Sequence, residues 1–331
     1  MAATMGAAGD LFRLVRKGID VRAVHAHTRK PFRFLLCGDP ALVGAFRALL
    51  LSGHEDGIVP TEAAATLENL NPSSAVELQT REARCIIFLG TRGDVNAQAL
   101  TVLKAARLPV FAVTVDENAQ PAGPTGAPAA GTFAEYAVPA ISKEALKGRL
   151  FTHLIETCKG VEIAVGRNLP ALRETVAAKL TRDAANNALK IALASAVVDH
   201  VPVIGIVLGA LASAGDTVAI TGLQMMLLLQ IEAAYGKDPD VQRMWQLLPV
   251  VGGGFGWRMI ARELSGFIPV AGIGIKGAIA YAGTIVVGEG VTFYYEHGRH
   301  MSKNQATAIY DRTKHDALTF GRDLIDKLKK K

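Results

Sequence analysis

Two apolar runs, 84–90 (RCIIFLG) and 109–115 (PVFAVTV), with a helical stretch over 95–107 between them, constrain this chain more than any other feature. A strand, a helix and a second strand at that spacing make a crossover unit, and such units build a parallel sheet with helices on its faces. The same alternation extends from 31 to about 158. The run 32–37 predicts a strand, 42–51 a helix and 134–139 a shorter strand, and Ser142 predicts the cap of a helix reaching about residue 158. The stretch 118–132 (NAQPAGPTGAPAAGT) is rich in Pro, Gly and Ala and predicts a loop.

From about 160 the alternation stops, apart from one short run near Phe293. A polar-faced helix is expected over 169–188. Three apolar blocks follow, at 189–213, 217–235 and 264–288. Half of the residues are hydrophobic, a fifth are charged, and 33 are Gly. A disordered chain would be poorer in apolar residues and richer in charge. The balance instead favours closely packed helices. The net charge of +6 suits an anionic surface. No stretch interleaves basic residues with exposed aromatics as a single-strand binder would, so no nucleic-acid partner is predicted. The three cysteines, Cys37, Cys85 and Cys158, are widely spaced and predict buried reduced thiols. No signal peptide is read at the N-terminus.

The first strand runs into Gly38-Asp39-Pro40-Ala41-Leu42-Val43-Gly44-Ala45 and then a helix. A GTPase places its phosphate loop, GxxxxGK[ST], between a strand and a helix. Its backbone N–H groups cradle phosphate, its Lys neutralises charge and its hydroxyl holds Mg²⁺. Here Gly38 stands at the first Gly. Val43 takes the second Gly position, and Gly44 and Ala45 replace Lys and Ser. The base-reading Asn-Lys-x-Asp is reduced to Val113-Thr114-Val115-Asp116, which keeps the Asp alone. Gly38, Asp39, Gly44 and Asp116 therefore mark a vestigial nucleotide site. No catalytic residue and no metal ligand is assigned. The plainer reading, that Gly38-Asp39-Pro40 is an ordinary turn from strand to helix, stands beside it.

The apolar half admits two readings, membrane insertion and a packed helical core. Gly274, Ala278 and Ala282 lie four apart, a spacing that lets helix backbones approach in either setting. If 189–213 and 217–235 form a membrane hairpin, its tip is Ser213-Ala214-Gly215-Asp216, with basic residues at the base. The block 264–290 then re-enters or lies within protein, bent near Pro269 and Gly272. Asp199, Asp216, Gln224, Gln230 and Lys276 are polar groups in these apolar surroundings. Gly272-Ile273-Gly274-Ile275-Lys276-Gly277 matches a dinucleotide fingerprint, with VTFYYE after it as a candidate strand ending at Glu296, but Pro269 disrupts the strand that should precede it and the residues after Glu296 predict helix, so no dinucleotide site is assigned. Solvated loop positions are expected for His297 and His300, and for His25 and His27.

Asn168-Leu169-Pro170-Ala171-Leu172-Arg173, Asn186-Asn187-Ala188, Val201-Pro202-Val203-Ile204-Gly205, Asp216, Leu223-Gln224-Met225-Met226, Tyr235-Gly236 and Ile268-Pro269-Val270-Ala271-Gly272 together resemble the YcjF-like family, a domain of unknown function. The resemblance covers roughly 165–298. It implies a helical domain, often membrane-embedded, that follows an Era-like GTPase domain. The first half resembles such a domain with its Gly-Lys-Ser and Asn-Lys-x-Asp elements decayed.

The expected organisation is a basic segment at 1–30, a degenerate GTPase-like α/β domain with a mainly parallel sheet at 31–160, an all-α apolar domain at 161–298 and a basic helix at 299–331. The expected function is a non-catalytic, membrane-associated adaptor or regulator on the cytoplasmic face. It would bind lipid and an unidentified protein and need no cofactor. A GTP-binding switch with weak or no hydrolysis and a soluble two-domain binding protein are the alternatives, and homo-oligomerisation is left open.

Overall fold

Five parallel strands form one sheet in the order β2-β1-β3-β4-β5. They are β1 (Arg33–Gly38), β2 (Leu67–Asn69), β3 (Ala83–Thr91), β4 (Val110–Val115) and β5 (Phe133–Val138). The computed structural model describes residues 20–70, 82–91, 103, 105–198, 205–240 and 273–329, with side chains described at all of these except 194–198, 205–218, 273–276 and 317–329. The expected helix over 95–107 falls largely outside these residues.

The sheet is parallel because its central strands are apolar on both faces. In β3 and β4, Cys85, Ile86, Ile87, Leu89, Val110, Phe111, Ala112 and Val113 are all fully buried, as a strand covered on two sides requires. Helix α1 (Val21–Thr28) precedes the sheet. After β1 come α2 (Pro40–Leu51) and the short α3 (Thr61–Ala65). α2 turns Val43, Phe46, Leu50 and Leu51 inward. The link 116–132 between β4 and β5 is a loop, as its composition predicted, and Ala122 bridges antiparallel to Ala137. Ser142 caps the next helix by accepting from Ala145 N at 3.2 Å. That helix runs as α4 (Lys143–Leu146), one π turn (Lys147–Phe151) and α5 (Thr152–Thr157), followed by α6 (Glu162–Asn168). The three cysteines are free and buried. Burial lifts the Cys37 thiol to about 12, and raises that of Cys85 well above its ordinary value.

The chain divides into two units. One comprises His25–Val176 with Ala233–Lys237, and the other holds the remaining residues. The second unit is helical. Its elements are α7 (Arg173–Val198, whose first turn belongs to the α/β unit), α8 (Gly205–Ala234, whose end does too), α9 (Ile273–His297) and α10 (Lys303–Lys329). Ala188 and Ala192 of α7 pack on Ile220 of α8 and Ala280 of α9. Gly277 lies on Leu189 and Leu193, and Gly288 lies on Thr181. As α9 rises from 277 to 288 its neighbour on α7 falls from 189 to 181, so these helices run antiparallel. α9 turns at Gly298 (φ 65°), which donates to Tyr294 O at 2.8 Å as a left-handed cap does. Ser302 and Gln305 then form a capping box. Ser302 N donates to Gln305 Oε1 at 3.0 Å and Gln305 N to Ser302 Oγ at 3.3 Å.

Several expectations need correction. Of the four histidines expected in solvated loops only His300 holds a loop position, since His25 and His27 lie within α1 and His297 ends α9. The hairpin tip at 213–216 is absent, because α8 passes through Ser213–Asp216 without a break; a single Gly in a helix costs only about 1 kcal/mol. The candidate strand VTFYYE is the end of α9. Its β-branched and aromatic residues favour strands weakly, and burial of Val291 and packing of Phe293 against Met301 and Tyr310 outweigh that preference. The dinucleotide fingerprint falls with that strand, since 273–277 is the first turn of the same helix. Among the described residues no helix is long and apolar enough to cross a membrane. The expected bend at Pro269 and Gly272 lies outside the described residues, as do Asp199 and the run 201–204.

Candidate functional site at the carboxyl edge of the sheet

In a doubly wound sheet ligands bind outside the carboxyl ends of the strands, where the strand order switches direction. Here that point lies between β1 and β3. Gly38 ends β1 in register with Leu89 and has φ 114°. A Cβ at Gly38 would overlap the Leu89 carbonyl oxygen and lie 2.9 Å from Leu89 N. Glycine is required here because the backbone turns against its neighbour strand. Asp39 N donates to Leu89 O at 2.8 Å and fixes that approach.

The next residue decides what the turn can hold. Asp39 has extended backbone angles (φ −61°, ψ 124°), and its Oδ1 accepts from Leu42 N at 2.9 Å. Pro40, which has no N–H to lose, is the first helical residue. An uncapped helix start presents N–H groups and a positive dipole end to an anion. In α2 that end holds the chain's own carboxylate. A phosphate would have to displace Asp39 and then sit beside its charge.

Gly44 lies on the exposed side of α2, where an added Cβ meets nothing within 4 Å. It does not line the turn. Asp116 follows β4 on the same sheet edge, with its N–H on Val138 O at 3.0 Å and its Oδ1 accepting from Asn118 N at 3.0 Å. Two strand spacings separate β1 from β4, roughly 10 Å. The sheet thus brings Gly38, Asp39 and Asp116 to one edge and leaves Gly44 apart. Arg47, on the same helix as Gly44, is committed elsewhere. It donates to Leu67 O at 2.7 Å and Asn69 Oδ1 at 2.7 Å, which ties α2 to the edge strand β2.

A second constellation lies in the same unit. Arg173 donates from Nη1 to Gly53 O at 3.1 Å and from Nε to Gly166 O at 3.3 Å, with its guanidinium 5.9 Å from the Tyr235 ring centre. Arg167 Nη1 donates to Lys237 O at 3.0 Å, and Lys237 pairs with Glu55. His54 Nε2 lies 3.1 Å from Asn168 O. The loop after α2, the turn 166–173 and the end of α8 are thereby tied into one knot. Asn168–Arg173 and Tyr235-Gly236, widely separated in sequence, meet here, and Gly236 (φ 88°) lies under Arg173. Sequence reasoning singled out both stretches without a physical reason for their pairing; the basic residues flanking each were the available signal. Arg173→Lys should cost about 2 kcal/mol, because one ammonium cannot serve two carbonyls and a ring. Denaturant unfolding of the full chain measures this.

The knot also sets a pH dependence. Burial lowers the pKa of His54 below 6.5 and the charge of Arg173 adds to this, while the Asn168 carbonyl opposes it. Burial and then Lys30 lower that of His27, opposed by Glu162. A histidine whose folded pKa is depressed favours the neutral fold. Its contribution is present above the unfolded value of 6.5 and is lost as pH falls through the folded one. The melting temperature should therefore fall as pH drops from above 6.5 to below it, and His27→Gln with His54→Gln should flatten that slope. An equally steep slope in the double variant would contradict the assignment.

A cavity of about 260 Å³ lies against β5, lined by Tyr136, Val138, Glu144 and Arg149 among others. Tyr136, which lines it, is joined to the buried His153 by a 2.7 Å hydrogen bond between the phenol oxygen and Nδ1. Arg149 holds the carbonyls of Gly123 and, at 3.2 Å, Pro124. This arrangement pins the 118–132 loop. Among the described residues no group of three potential metal ligands occurs. No family model, no curated protein and no solved structure matches this chain.

Proposed function

We propose that this protein is a non-catalytic, membrane-associated adaptor or regulator whose α/β unit is a GTPase-like domain that has lost its nucleotide chemistry. The observation that carries the reading is the Asp39 carboxylate on the N-terminus of α2, at the switch point where a phosphate would sit. Phosphoryl transfer is catalysed almost wholly by positioning and electrostatics. An anion in place of the phosphate, with Gly44 and Ala45 in place of Lys and Ser, removes its main stabilisers. The basic N- and C-terminal segments support an anionic lipid surface as one partner, with the rest of the α/β surface left for a protein.

Two other readings have an observation in their favour. Placement of Gly38, Asp39 and Asp116 on one sheet edge favours a residual GTP-binding switch. The inward packing of Gly277 and Gly288 within the helical unit favours a soluble binding protein, in which small residues serve a core. Fractionation of the full chain followed by a carbonate wash separates the readings. Recovery with the unwashed membrane fraction is expected, and recovery wholly in the soluble fraction would overturn membrane association; release by the carbonate wash alone would mean a surface contact without insertion.

A further inference from the structure

The turn between α9 and α10 gathers aromatic and basic side chains beside the small core of Ala282, Val286, Met301, Ala306 and Tyr310, on which Phe293 packs. Phe293, Tyr294 and Tyr295 are half-buried at the end of α9, and His297, Arg299 and His300 are exposed just beyond. The bases lie on the rings. His297 stacks on Phe293 with centroids 4.2 Å apart, the Arg299 guanidinium sits 5.1 Å from the same ring, and His300 stacks on Tyr294 at 5.9 Å. Lys303 opens the next helix. Against these stands Glu296, and the corner remains basic.

We infer that this corner is the contact between the helical unit and an anionic lipid surface, seated at headgroup depth. The inference rests on the membrane-associated reading above and names the surface responsible. Aromatic residues at the end of an apolar helix, with cations beside them, have the composition of a membrane interface: amphipathic rings sit at headgroup level and cations meet lipid phosphate. The body of α9 is apolar, with Ala278, Ala282, Val286, Val287 and Val291 buried in its own unit. The rings therefore emerge where the helix leaves its core. The same chemistry could suggest single-stranded nucleic acid, which stacks its bases on open ring faces. His297 and Arg299 lie on Phe293 and His300 on Tyr294, so two of the three rings are already engaged and the corner lacks a row of open faces for successive bases.

The test is co-sedimentation of the full chain with phosphatidylcholine vesicles, with and without phosphatidylglycerol. Arg299→Glu with Lys303→Glu should lower partitioning onto the anionic vesicles at least about tenfold and leave partitioning onto the neutral ones unchanged. Lys329→Glu with Lys330→Glu reverses the same charge in the C-terminal tail and should have a smaller effect. Circular dichroism checks that each variant is folded, and Arg299→Gln supplies a milder change if the double reversal is not. Equal losses from the two pairs would make the binding a matter of net charge and overturn the inference. So would loss of oligonucleotide binding in the Arg299 variant with vesicle binding intact. If the unaltered chain binds neither vesicle, the membrane reading itself falls. If it binds and the Arg299 variants bind equally well, the inference falls alone.

Discussion

Gly38→Ala should strongly destabilise the α/β unit, and Gly44→Ala should stabilise it. Both glycines stand in the stretch that resembles a phosphate loop, yet their surroundings give opposite signs. At Gly38 an added Cβ meets the Leu89 carbonyl, carbon and nitrogen, which are backbone atoms of the central strand and cannot swing away. The φ of 114° is also one that side chains rarely adopt. Together these should cost about 3 kcal/mol or more, a large part of a domain's stability. At Gly44 the space is open, and replacing a helical Gly by Ala returns roughly 0.5–1 kcal/mol. Urea unfolding of the two variants reads both signs. Equal losses would mean that Gly44 lines the turn, and the site as described would be wrong.

Gly288→Ala is the corresponding change in the helical unit. A Cβ at Gly288 would overlap Oγ1 and Cγ2 of Thr181 and lie 2.8 Å from its Cβ. Thr181 is buried on α7, and its hydroxyl lacks a hydrogen-bond partner. Forcing these helices apart should cost about 2–3 kcal/mol. Thr181→Ala alone should be mild, since it removes an unsatisfied buried hydroxyl while it opens a small space. Combined with Gly288→Ala it should recover about 1–2 kcal/mol, the coupling expected of two residues in direct contact. Additive losses would show that α7 and α9 do not meet at this point.

The parts of the fold that could be read from the sequence are those fixed by local chemistry. The strands β1, β3, β4 and β5 are short apolar runs between turn residues, and each lies within a residue or two of its expected place. The 118–132 loop and the Ser142 cap follow from Pro, Gly and hydroxyl chemistry in the same way. The short β2, Leu67-Glu68-Asn69, carries no such signal; pairing with β1 and the Arg47 bonds make it a strand. The helical half was harder because Gly, Ala and Val suit many arrangements. Ser213–Asp216 looked like a tip but lies inside the long helix α8, and VTFYYE looked like a strand until the packing of Val291 and Phe293 decided otherwise. At the candidate site Gly38-Asp39-Pro40 was legible as a turn from strand to helix; the capping role of Asp39 was not drawn from it, although Asp followed by Pro is a helix-start signal. The Arg173 knot was not legible, since it joins carbonyls and a ring from three separate stretches of chain.

Isothermal titration of the full chain with GTP in the presence and absence of Mg²⁺ tests the central claim most directly. With Asp39 on the helix N-terminus, no saturable Mg²⁺-dependent binding is expected up to about 1 mM, the range in which binding is worth only about 4 kcal/mol. Mg²⁺-dependent binding in the micromolar range would contradict it, and would mean that the Asp39 carboxylate yields its place to phosphate.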